Sequence, residues 1–119
     1  RNILSPEGGN TTGHVIIVRG AGLWGEIRTV LAFETDLETI RGIDFISQNE
    51  TPGLGARITE QWFKSQFRGK SLPLETVPED TADEPNEVDA ITGATATTNA
   101  VMAIIRDGAE NVKQLVREQ

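Results

Sequence analysis

The sequence predicts an α+β domain: an antiparallel β-sheet packed with α-helices and ending in a long C-terminal helix. Three observations carry that prediction. β-Branched and aromatic runs fall between residues 13 and 47, joined by short connections of the kind that link antiparallel strands. Apolar residues then recur at near-helical spacing from about residue 56 to 67. A longer helical stripe follows, with Val101, Ile104, Ile105, Val112, Leu115 and Val116 on one face.

The elements follow in order. Residues 1–12 are rich in Gly, Asn, Thr and Pro and read as an irregular lead-in, leaving 13–119 as the single domain. Gly13 to Gly20 holds Val15-Ile16-Ile17-Val18 and reads as a strand. Gly20-Ala21-Gly22-Leu23-Trp24-Gly25 reads as a turn because three glycines fall in it. Ile27 to Asp36 and Thr39 to Ser47 read as two further strands of a meander. Glu50 to Gly55 is a loop, and a helix is expected from about Ala56 to Phe67, with Ile58, Trp62, Phe63 and Phe67 on its apolar side. Ser71 to Val77 reads as a short strand and the acidic stretch Pro78 to Glu87 as an exposed loop. The last helix is expected from about Thr97 to Arg117.

Composition removes several functional classes. A chain of 119 residues suffices for one domain with a modest core. Its 18 acidic against 11 basic residues give a formal net charge of −7, which argues against binding nucleic acid or an anionic membrane surface. There is no cysteine, so disulfides, iron–sulfur ligation and thiol catalysis are out. His14 is the sole histidine, which leaves no multi-histidine metal site and disfavours a Ser-His-Asp hydrolase. It reads as a strand residue at a sheet surface, and Trp62 as a core residue. No apolar run approaches the roughly 20 residues of a membrane-spanning helix. The chain begins with Arg1, which suggests a processed or truncated product.

Three segments are candidates for binding. Asp89-Ala90-Ile91-Thr92-Gly93-Ala94-Thr95 precedes a helix. Gly93 and Ala94 allow close approach to the backbone, helix N-terminal N–H groups suit a phosphate, and Thr95 offers a hydroxyl to it. A plain helix start explains the same residues, with Thr92, Thr95, Thr97 or Thr98 as N-cap. Glu50-Thr51-Pro52-Gly53-Leu54-Gly55 is either a Pro-Gly turn or a loop whose N–H groups face the polar edge of a ring. Leu23 and Trp24 lie either in a simple hairpin or at a turn whose flat apolar side chains suit an aromatic ligand.

Taken together, the three segments resemble the FMN-binding domain shared by the C subunit of the sodium-translocating NADH:quinone reductase and the G subunit of the related Rnf complex. Asp89, Thr92, Gly93, Ala94 and Thr95 match the family's acceptor motif of Asp, two residues, Ser or Thr, Gly, Ala, then Thr or Ser. Glu50 to Gly55 matches its Glu-Thr-Pro-Gly-Leu-Gly loop without a change, and Gly22-Leu23-Trp24 resembles the turn of the quinone-reductase branch. The resemblance spans roughly residues 13–117.

The resemblance implies an electron-transfer flavoprotein. In that family a flavin transferase attaches FMN to a threonine through a phosphoester, which maps the covalent position to Thr95. It implies that Thr92, Gly93 and Ala94 surround the phosphate and that Asp89 belongs to the signal for modification. It implies that Leu23, Trp24, Glu50, Thr51, Gly53 and Leu54 border or orient the ring. No catalytic residue and no metal site are implied. The partners implied are the flavin transferase and the other subunits of a membrane oxidoreductase complex engaged in electron, ion and sodium transport. They would meet at the extracytoplasmic face of a bacterial inner membrane, the full-length protein being anchored by an N-terminal helix that this chain lacks. The alternative is an FMN-binding sensor or a relay domain of a soluble reductase.

Overall fold

The computed structural model describes residues 2–4 and 11–117. Strands β1 (Asn2–Leu4), β2 (Thr11–Ala21), β3 (Glu26–Glu34) and β4 (Ile40–Ser47) form one antiparallel sheet in that order. The lead-in expected to be irregular thus supplies an edge strand and the start of β2, while residue 1 and residues 5–10 lie outside the described ones.

One face of the sheet is the core. In β3, Ile27, Thr29, Leu31 and Phe33 are fully buried and alternate with Arg28, Val30, Ala32 and Glu34, the period of two that a half-buried strand requires. The register pairs Ile16 with Leu31 and Val18 with Thr29, so β2 contributes those side chains to the same face. His14 pairs with Phe33 and is 7% exposed. It is therefore an inner-face residue, and the expectation of a surface position is corrected by the register.

Helix α2 (Thr95–Arg117) lies against β2. It buries Val101, Ile104, Ile105, Ala109 and Val112. A methyl group at Gly108 would come within 2.7 Å of Val18 Cγ2, so the bare backbone there lets the helix settle close to the strand. The expected apolar stripe ends at Val112. Leu115 is 61% exposed, and the side chain of Val116 lies outside the described residues.

The single helix expected from Ala56 to Phe67 is two pieces, a 3₁₀ helix (Gly55–Thr59) and helix α1 (Gln61–Ser65), separated by Glu60 in an extended conformation. Ile58 and Phe63 are both fully buried. Five residues apart on one continuous helix they would diverge by about 140°. The break at Glu60 brings both inward and turns Trp62 out. Trp62, expected in the core, is 37% exposed, with its indole N–H donated to Glu60 Oε1 at 2.6 Å and the Arg57 guanidinium over its ring.

The remaining segment also differs from expectation. Of the expected strand at 71–77, Ser71 makes a single antiparallel bridge to Thr39 and only Glu75–Val77 (β5) forms a strand, which pairs in parallel with Glu87–Asp89 (β6), a strand that no sequence pattern announces. This second small sheet leads straight into the head of α2. The helix itself begins at Thr95, two residues earlier than expected.

Candidate functional site

The three candidate segments meet. Leu23, Trp24, Thr51, Leu54, Gly55, Gly93, Ala94 and Thr97 line one hollow of about 190 Å³. The β2–β3 turn forms one wall, the head of α2 the other, and the loop from β4 to the 3₁₀ helix the floor. Leu23, Trp24 and Leu54 are 57%, 68% and 45% exposed, so the hollow opens between large apolar side chains that the protein itself does not cover. Gly55 and Thr97 were not among the residues expected there. A methyl at Gly55 would come within 2.5 Å of Thr97 Oγ1 and 2.8 Å of Glu50 Cβ. Thr97 lies half a helical turn beyond Thr95, and its hydroxyl faces the loop rather than solvent.

Glu50 stands behind this hollow and does not line it. Its side chain is buried, with the residue 4% exposed. Oε1 accepts the Leu23 N–H at 2.8 Å and the Thr97 hydroxyl at 2.8 Å, and Oε2 accepts the Trp24 N–H at 3.0 Å. Burial alone would push this carboxyl up. The bonds from Thr97, Leu23 and Trp24 outweigh burial and hold it below the usual glutamate range, so it is ionised near neutral pH.

The loop after Glu50 closes on the Thr51 carbonyl, which accepts the N–H groups of Leu54 at 3.0 Å and Ala56 at 3.1 Å. Gly53 sits exposed at the apex with φ +78° and is not part of the lining.

At the head of α2, the first helical bond runs from the Thr98 N–H to the Ala94 carbonyl at 3.1 Å. The N–H groups of Thr95, Ala96 and Thr97 precede that ladder and have no acceptor one turn back. They are free to meet an anion, which the helix dipole favours at this end. Thr98 is the hydroxyl built into the helix start, accepting the Ile91 N–H at 3.3 Å and donating to the Ala94 carbonyl at 3.1 Å. The side chain of Thr95 is exposed, and Thr95 is not among the residues that line the hollow, although its neighbour Ala94 is. Gly93 turns the chain into the helix with φ +81°, a conformation that costs an L side chain energy, and a methyl there would touch Leu54 Cδ2 at 3.3 Å.

Thr92 and Asp89 face elsewhere. The Thr92 N–H is donated to Glu79 Oε1 at 2.9 Å, and the bonds from Thr92, its backbone N–H first, hold the Glu79 carboxyl below its ordinary value. Asp89 Oδ1 accepts the N–H groups of Thr81 and Ala82 at 2.9 and 2.8 Å. Its backbone is held by the Gln66 amide, which accepts the Asp89 N–H at 2.7 Å and donates to the Asp89 carbonyl at 3.1 Å. Asp89 therefore pins the acidic loop to β6 and is not in the hollow.

A larger hollow, about 270 Å³, lies farther along α2 between Met102, Arg106, Ala109 and Lys113 and the strap Leu72-Pro73-Leu74. None of the three segments reaches it. Among the described residues no cluster of acids and histidine has the makings of a metal site, and no helix is long and apolar enough to cross a membrane.

A family model described as the FMN-binding domain matches residues 22–110, which contain all three segments. The C subunit of the Na(+)-translocating NADH-quinone reductase of Yersinia pestis is 34% identical over 107 residues, 83% of this chain and 40% of that protein. The G subunit of the proton-translocating ferredoxin:NAD(+) oxidoreductase complex of Clostridium ljungdahlii is 34% identical over 106 residues, 89% of this chain and 56% of that one. Among solved structures, NqrC of Shewanella oneidensis matches with a TM-score of 0.74 at 29% identity, over 87% of this chain and 51% of the other. The C subunit of the Na(+)-translocating NADH-quinone reductase of Parabacteroides distasonis gives 0.72 at 32% identity, over 85% and 55%. The chain thus spans between 40% and 56% of the length of these relatives.

Proposed function

Starting from the premise that the chain belongs to the FMN-binding domain family, we propose that it is an electron-transfer domain whose FMN is joined by a phosphoester to Thr95 and rests its ring in the hollow beside Leu23, Trp24 and Leu54. The observation that carries this reading is the convergence of three separate segments on one hollow, with the first N–H groups of α2 and the exposed Thr95 directly following its lining residues Gly93 and Ala94. When bound, FMN supplies the uptake and release of electrons.

The chain's own residues supply attachment, position and exposure. Thr95 Oγ is the ester oxygen. The N–H groups of Thr95, Ala96 and Thr97 face the phosphate charge, and Gly93 leaves room for it to approach the backbone. Leu23, Trp24 and Leu54 offer apolar surface to the ring, and Thr51 a polar group beside it. A covalent tether keeps the cofactor at high effective concentration, so the ring site need not enclose it. A shallow site suits electron exchange, because a partner can come close to the ring edge.

The relatives named above are subunits of oxidoreductase complexes. On this reading the domain works against other subunits of such a complex, which translocates an ion. It is held at the extracytoplasmic face of the membrane by an anchor outside this chain. Asp89 is read by the flavin transferase as part of the modification signal, while its contacts to Thr81 and Ala82 give the loop its shape.

Co-expression with a flavin transferase tests the reading. The intact mass should rise by one FMN less one water, and the Thr95→Val variant should stay at its unmodified mass. An unmodified parent protein, or an adduct retained in Thr95→Val, refutes the attachment.

A further inference from the structure

Glu50 touches both walls of the hollow without lining it. Leu23 and Trp24 expose 57% and 68% of their surface, so side-chain packing does little to fix the turn that carries them. The bond from the Gly22 N–H to the Gly25 carbonyl at 2.8 Å closes that turn on itself but does not tie it to the rest of the domain. The tie is the Glu50 carboxylate, which takes two consecutive N–H groups of the turn on its two oxygens. Two bonds to one planar group fix the direction of the turn as well as its distance. The same carboxylate takes the hydroxyl of Thr97, two residues beyond Thr95 in the first turn of α2.

We infer that Glu50 is a positioning residue that couples the turn wall to the head of α2 and so holds the hollow open before any ligand is present. The turn is set relative to the helix through one buried anion, and the hydroxyl of Thr97 acts on the turn only by way of Glu50. The inference rests on the proposed function for what the hollow receives, but not for how its walls are held.

Amide hydrogen exchange on the unmodified chain, without flavin, tests it. Glu50→Gln replaces one acceptor oxygen with an NH₂ group. The exchange of the Leu23 and Trp24 amides should accelerate roughly tenfold or more, the factor that corresponds to losing one such hydrogen bond. The amides of Leu31 and Ile105 should keep their protection, which shows that the core remains folded. Thr97→Val should accelerate the same two amides to a smaller degree, and adding it to Glu50→Gln should bring no further change. Unchanged exchange at Leu23 and Trp24 in a folded Glu50→Gln protein overturns the inference, as does full additivity of the two substitutions. If Glu50→Gln loses core protection as well, Thr97→Val alone decides, since unchanged exchange at the turn in that variant also overturns it. Because no flavin is involved, failure of this experiment leaves the mass test of Thr95 standing, and the reverse holds too.

Discussion

The hollow enclosed by the three segments and the larger hollow farther along α2 differ in what holds their walls apart. The walls of the smaller one are joined by a buried carboxylate with three donors on it. The rim of the larger one is crossed by Lys113 and Glu38 at 3.9 Å, with Glu38 63% exposed, a pair that water screens. The larger space is what remains where a strap containing Pro73 crosses a helix. The smaller one is specified by backbone N–H groups, a close approach at Gly55 and a turn at Gly93. On the proposed reading, the restraint on the walls marks the site and volume does not.

The largest effect should come from removing that restraint. Glu50→Ala leaves two amides and a hydroxyl without their acceptor and should destabilise the domain by about 2–4 kcal/mol, measured by denaturant unfolding. Lys113→Ala at the larger hollow should cost less than about 1 kcal/mol. Equal losses would erase the distinction drawn between the two. Gly55→Ala should come next, at about 1–3 kcal/mol, because the added methyl meets Thr97 and Glu50 with little room to move.

Acid sharpens the same contrast. The folded value of the Glu50 carboxyl lies below its unfolded value of about 4.3. Its contribution to stability is fully present above the unfolded value and is lost as pH falls through the folded one. The midpoint of unfolding in Glu50→Gln should therefore vary less with pH across that acidic window than in the parent, whereas Lys113→Ala should track the parent. The smallest effect concerns the sheet beneath. Thr29 is fully buried and its hydroxyl has no partner among the described residues, so Thr29→Val should be neutral or stabilising by roughly 1 kcal/mol. A clear loss there would reveal a partner for the hydroxyl.

Much of this was legible in the sequence, and the misses have physical causes. The three long strands and α2 declare themselves through period-two and helical spacing that burial then obeys. The location of Leu23, Thr51, Leu54, Gly93 and Ala94 together follows from motif resemblance, since no local pattern says that residues so far apart in the chain will touch. The 3₁₀ break at Glu60 was hidden because Ile58 and Trp62 fit a helix better than Ile58 and Phe63 do. Strand β6 was hidden because three residues with one apolar side chain carry almost no periodic signal. His14 was misplaced because its environment is set by pairing with Phe33, a tertiary fact. The sequence offers Thr97 only as an N-cap and Gly55 only as a loop glycine, because their role is contact with Glu50, which only the fold creates.

The central claim is that the motif-built hollow, and not the larger one, receives the flavin ring. Nuclear Overhauser contacts measured on the domain flavinylated by co-expression test it most directly. The account predicts contacts from the ring methyl groups or ring protons of FMN to the side chains of Leu54, Leu23 or Trp24. Contacts to Met102, Leu72 and Leu74 would contradict it.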